Sequence, residues 1–229
     1  MSIDMPSGVY RTLRKRLNQL VAVLPTPPSP GRSLSQAQKD GIAFYAVMTH
    51  AACEHYLERR CSEIADHALD AFTARNKLGR VGKHLCLLPY VTFTKQDRDF
   101  TTVAELVGAS GFGVHISSAK QLSSRAELTL ALDRGHKIYQ RSIEQNHGIS
   151  YKYQFKLLSY LGVDIKVFSP NFLSRVDQLA TLRGEAAHKG VVAAQTLPSI
   201  TDLPTWTQDL LDGYLDLDDA LKTLKAVRT

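Results

Sequence analysis

"AFYAVMTHAACEHYLERRCSEI", residues 43 to 64, decides the fold class. Its apolar side chains recur every three to four residues, the period of one face of an α-helix rather than the alternation of a strand. Followed outward, the pattern predicts one long helix over 35–75, with Ser35 as N-cap. Tyr45, Met48, Ala52, Tyr56, Leu57, Cys61, Ile64, Ala68, Leu69 and Phe72 lie on a stripe that drifts slowly around the axis. Upstream, Val9, Leu13, Leu17, Leu20, Val21 and Leu24 predict an N-terminal helix within 1–24 with its arginines opposite. "PTPPSPGRS" ends it, since proline lacks an amide donor and restricts its neighbour, leaving a stiff linker over 25–34.

Downstream the signal weakens. Residues 76–120 read as an irregular insertion, in which "LCLLPYVTF" could be a short strand or a buried extended run and "GASGFGVHISS" a glycine-rich loop. Helical periodicity returns over 121–229. It stops at "HG", with Gly148 expected as a left-handed cap, and resumes in "SYKYQFKLLSYLG" with Ser150 as cap and Gly162 as terminator. Ser169 and Pro170 open a further helix whose core face holds Phe172, Val176, Leu179 and Leu182. A last amphipathic helix spans 204–227. The expectation is an all-α protein, a single domain over 1–229 built as an up-and-down helical bundle with an irregular insertion.

Hydrophobic residues make up 44% of the 229 and charged residues 22%, which excludes wholesale disorder. No apolar stretch is long enough to span a bilayer, and "RTLRKRLNQL" is too basic for a signal-peptide core. The expectation is a cytoplasmic protein without membrane contact. Cys53, Cys61 and Cys86 form no C-x-x-C pair. On one helix Cys53 and Cys61 would stand about 12 Å apart, too far for a disulfide, so reduced, packed thiols are expected. The net charge of +6 permits a polyanionic partner without pointing to one. Basic character gathers in "RTLRKR" and "RNKLGRVGKH", acidic character in "TDLPTWTQDLLDGYLDLDD". "HAACEH" offers metal-ligand types, but one helix supplies too few ligands and no zinc spacing occurs elsewhere, so neither metal nor cofactor is expected.

"TLRGEAAHKG", residues 181–190, sets Arg183 and His188 five positions apart across very small side chains. With 15 arginines and 8 histidines in the chain, R-x-x-x-x-H arises readily by chance; its placement near the end of an apolar-periodic helix says more. Five residues of helix separate the two by roughly 140° around the axis, so they converge only if Arg183 reaches around or a second copy of the helix faces the first. A neutral imidazole can move the proton of a ribose 2′-hydroxyl, and a guanidinium can hold the phosphate charge that develops, without a metal. DNA lacks that hydroxyl.

Three segments resemble the HEPN superfamily, in particular the compact HEPN domains of bacterial defence and toxin systems. "AFYAVMTHAACEHYLERRCSEI" is similar to the family's long helix with a glutamate inside an apolar run, matched by Glu54. "NHGISYKYQFKLLSYLGVD" is similar to the short element before the motif helix, and "LATLRGEAAHKG" matches the R-x-x-x-x-H signature. Together they cover roughly half the chain; the N-terminal helix and residues 76–120 fall outside. The resemblance implies a homodimer joined through its motif helices and a metal-independent endoribonuclease at the seam, in phage defence or as a toxin. An antitoxin or other defence-system protein would then be a partner. It implies His188 as acid/base, Arg183 as phosphate-binding group and Glu54 as the residue that orients one of them. Arg75, Lys77, Arg80, Lys83 and Lys189 then become candidates for guiding RNA backbone. One departure stands out: the family usually has a polar residue directly after the arginine, and this chain has Gly184. That feature favours the other expectation, a catalytically inactive HEPN-like domain that binds RNA, a nucleotide or a partner protein.

Overall fold

Serine caps and proline stops divide the chain where the periodicity divides it. The computed structural model describes residues 5–92, 115–116, 124–189 and 197–225. Seven α-helices lie among them: α1 (Gly8–Ala22), α2 (Gln36–Arg75), α3 (Arg80–Leu87), α4 (Arg125–Glu144), α5 (Tyr151–Tyr160), α6 (Pro170–Lys189) and α7 (Leu203–Lys225). Among the described residues, strand structure is confined to β1 (Val91–Thr92) paired antiparallel with β2 (His115–Ile116). The class is all-α.

Local chemistry explains the boundaries. Ser35 caps α2 reciprocally: its hydroxyl accepts from the Gln38 amide at 3.3 Å, and the Gln38 side chain accepts from the Ser35 amide at 2.9 Å. Ser124 and Glu127 form the same box at the start of α4. Gly162 takes φ +83° after α5, and the Val163 amide reaches back to the Leu158 carbonyl at 3.0 Å, closing the helix as expected of that glycine. Two expectations are corrected. Gly148 is not left-handed; α4 ends at Gln145, whose amide closes on the Arg141 carbonyl, before the glycine is reached. The stretch 76–120 is not irregular throughout. Residues 80–87 form α3, because Val81, Leu85 and Cys86 fall on one buried face, and the described part of "LCLLPYVTF", residues 85–92, runs from helix through a 3-10 turn into β1. "GASGFGVHISS" lies outside the described residues except for the β2 pair, as do residues 226–229 at the end of the last helix.

The chain divides into two compact units, considered through their described residues. The first comprises Met1–Leu57, Gly148–Tyr151 and Phe168–Asp218. Leu13, Leu17 and Leu20 of α1, Leu179 and Leu182 of α6 and Leu211 of α7 are buried in it. Edge-to-face rings link Tyr10 to Tyr56, Tyr56 to Tyr214 and Tyr214 to Phe172, at centroid separations of 6.3, 5.1 and 5.0 Å. Such pairs add about 0.5–1.5 kcal/mol each beyond the area they bury. Buried Asp218 accepts from the Ser7 amide at 2.8 Å and from its hydroxyl at 2.6 Å, fixing the start of α1.

The second unit comprises Glu58–His147, Lys152–Val167 and Asp219–Thr229. Cys61, Ile64 and Phe72 of α2, Leu85 of α3, Leu132 and Tyr139 of α4 and Phe155 of α5 are buried in it. Tyr139 donates to the Leu157 carbonyl at 3.0 Å. Gly135 lets α4 lie against α3: a Cβ there would come within 1.8 Å of the Leu85 carbonyl oxygen. α2 thus contributes Tyr45, Cys53 and Tyr56 to one core and Cys61, Ile64 and Phe72 to the other, which is the physical meaning of its drifting stripe. All three cysteines are free and buried. Burial pushes the Cys53 and Cys61 thiols up to about 12 and Cys86 to about 11, consistent with the expectation of inert, reduced groups. No helix among the described residues is long and apolar enough to cross a membrane.

Candidate functional site

α6 carries the arginine of the motif and α2 the glutamate, and both positions belong to the first unit. Phe172, Val176, Leu179 and Leu182 are buried, which pins α6 through one face. Arg183 follows directly on that face's last buried position and is itself half-buried. On α2 the turn from Thr49 to Cys53 is held by burial of both residues. Glu54, one position further, is half-buried, its carboxylate 23% exposed.

The residue that joins the two helices is His50. It is 3% exposed, with Nδ1 3.8 Å from Glu54 Oε2, one turn away on the same face of α2. At that separation the two are electrostatic neighbours rather than hydrogen-bonded partners. Burial, and secondly the positive charge of Arg183, lower the His50 pKa to about 4. The ring is therefore neutral at physiological pH. The Arg183 guanidinium thus lies within electrostatic range of a buried imidazole that has Glu54 beside it. Tyr214 is pushed well above its ordinary value, first by burial and then by Cys53, with Glu54 a smaller contribution.

Of the expected site residues, Glu54 stands 3.8 Å from His50, and Arg183 acts on the same imidazole through its charge. His188 and Lys189 lie on the last turn of α6; their side chains fall outside the described residues, as does the geometry expected between His188 and Arg183. Arg75, Lys77, Arg80 and Lys83 all belong to the second unit. Arg75, Lys77 and Lys83 are exposed. Arg80 is partly committed elsewhere, donating from Nη2 to the Gly162 carbonyl at 2.6 Å. His50 was not singled out from sequence as a site residue. Its sequence signal is the i, i+4 spacing from Glu54 within "HAACEH", which marks a shared face of α2 but not its burial or the nearby charge of Arg183.

The surroundings of the motif have two further features. No described atom lies within 4 Å of where a Cβ on Gly184 would sit, so packing among the described residues does not demand a glycine there. A pocket of about 500 Å³ on another side of α6 is lined by Asp177, Thr181, Glu185 and Trp206, but by neither Arg183 nor His50. Its two carboxylates make it unsuited to phosphate. Among the described residues no group of three or more His, Cys, Asp or Glu side chains could hold a metal ion. The chemistry available around Arg183 is therefore that of a fixed positive charge, a neutral imidazole and a carboxylate. No family model, curated protein or solved structure matches this chain.

Proposed function

We propose that this protein is a HEPN-type, metal-independent endoribonuclease whose active site is completed by a second copy of the chain. The observation that carries this reading is the buried His50 of α2, which has Glu54 at 3.8 Å and feels the positive charge of Arg183 on α6. The uncharged His50 does not itself neutralise the Arg183 guanidinium, which in the proposed reaction meets the phosphodiester.

In the proposed reaction Arg183 holds the non-bridging oxygens of the scissile phosphate. His188, assigned through the resemblance, takes the 2′-hydroxyl proton from the adjacent ribose. The 2′-oxygen bonds to phosphorus, the bond to the 5′-oxygen breaks, and a proton returns to that leaving oxygen from an imidazolium. The products are a 2′,3′-cyclic phosphate and a 5′-hydroxyl. The open face at Gly184 gives a second α6, or a phosphate backbone, room to approach.

Labelled RNA incubated with the protein in EDTA tests this. The expected result is cleavage leaving 2′,3′-cyclic phosphate ends, reduced at least about a hundredfold by His188→Ala and by Arg183→Ala, the usual scale for a proton-transfer group or a charge stabiliser. Gly184, where the family carries a polar residue, favours the second reading of a catalytically inactive binding domain. RNA binding without cleavage, unchanged by His188→Ala, would establish that one instead.

A further inference from the structure

We propose that the exposed face of α1 is a docking surface for RNA backbone, a role that rests on the ribonuclease reading and adds to it a contact outside the motif. The argument begins with angular placement. Arg11, Arg14, Lys15 and Asn18 fall within about 100° of one another around the helix, at spacings of three and four residues. Each of the four is exposed. Arg16 flanks them half-buried, and the sequence of α1, GVYRTLRKRLNQLVA, contains no acidic residue. Among the described residues no carboxylate lies within ion-pair distance of Arg14 or Lys15. Among the described residues no ion pair therefore neutralises the stripe. Elsewhere some cations are neutralised in this way, as Lys137 is by Asp133 at 2.8 Å and Arg59 by Glu63 at 3.5 Å.

The opposite face decides what kind of polyanion fits. Tyr10, Leu13, Leu17 and Leu20 are each no more than 3% exposed. Tyr10 donates to the Leu211 carbonyl at 3.0 Å, and Ser7 is held by Asp218. A basic amphipathic helix that lies in a membrane must insert its apolar face among the lipid chains. That face of α1 is already spent on the core of its own unit. What remains is a rigid row of cations with hydrogen-bond donors and no apolar anchor, which suits a phosphodiester backbone. Arg14 and Lys15 on successive positions, with Arg11 one turn back, can each meet a phosphate of one strand. The helix is anchored before RNA arrives, so little ordering entropy opposes binding.

The test uses the full chain in EDTA and a fluorescent single-stranded RNA, with anisotropy read across a salt series. Arg14→Gln with Lys15→Gln is expected to weaken binding about tenfold at low salt. It should also shrink the slope of log affinity against log salt by about 1.4, the loss of two phosphate contacts on a single strand. A charge-matched control, Arg134→Gln with Lys137→Gln on α4, is expected to leave the slope nearly unchanged. Both pairs are on exposed positions, and unchanged thermal midpoints verify that the fold is intact. An equal effect of the two pairs would mean that only net charge matters and would overturn the proposal. So would absence of RNA binding by the unsubstituted protein, or binding to vesicles of anionic phospholipid in place of RNA. If RNA binds in an α1-dependent way but is never cut, the docking surface stands and the catalytic reading falls; cleavage that is indifferent to α1 does the reverse.

Discussion

His50 is a buried, titratable side chain with one carboxylate and one guanidinium for company, and its protonation can be followed. The folded chain holds it near 4 while an unfolded chain would leave it near 6.5. Because the folded value is depressed, the stability tied to its neutral form is fully present above pH 6.5 and is lost as pH falls from there towards 4. The full effect is about 3 kcal/mol. Urea unfolding at pH 7.5 and pH 4.5 is expected to show that loss, with His50→Gln markedly flatter over the same range; equal slopes for the two proteins would refute it. Arg183→Gln should raise the His50 midpoint in a nitrogen-resolved NMR titration without restoring it to 6.5, because burial remains the larger cause. An unmoved midpoint would place Arg183 elsewhere.

Helices in this chain meet where glycine permits, and three glycines on helices are not equivalent. On α7, a Cβ at Gly213 would lie 2.1 Å from ring atoms of Phe172 on α6. On α4, Gly135 faces a backbone carbonyl of α3 even more closely. Gly184 on α6 faces open space among the described residues. Gly213→Ala is therefore expected to cost about 1–3 kcal/mol through overpacking. Gly184→Ala should stabilise the chain by up to about 1 kcal/mol, the ordinary preference of a helix interior for alanine. Denaturant midpoints of the two variants are expected to move in opposite directions. If the Gly184 face receives a second α6, the stabilised Gly184→Ala protein will cleave RNA less well than its parent, a separation of stability from activity that a solvated glycine would not give.

At the scale of the whole molecule, the proposed chemistry needs two chains. Sedimentation equilibrium at micromolar concentration is expected to give twice the 25.4 kDa of one chain. A strict monomer at concentrations where RNA is cut would exclude a composite site. The two-unit organisation also bears on how a pattern such as that of α2 is interpreted. A forty-residue helix, about 60 Å long, is longer than one small core is wide, and its apolar positions serve different neighbours at its two ends. The buried ionisable groups divide accordingly: His50 and Cys53 in the first unit, Arg60 and Cys61 in the second.

Periodicity of apolar residues was sufficient to place α1, α2 and α4 to α7, because a helix must bury one face and that requirement is written at fixed spacing. Ser35, Gly162 and Pro170 were legible as boundaries for an equally local reason, since capping and φ depend on a few adjacent residues. The α3 turn was not, because eight residues carry too few repeats to stand out from a loop. The drift of the α2 stripe was visible in the sequence, but its division between two cores was not. Arg183, Glu54 and His188 could be singled out from sequence through their resemblance to a motif. That a buried His50 has Glu54 beside it and feels the charge of Arg183, and that no described atom lies near a Cβ on Gly184, only the tertiary structure decided. Proximity between residues 133 positions apart depends on how helices pack, and packing is set by the shapes of many side chains together rather than by any local pattern.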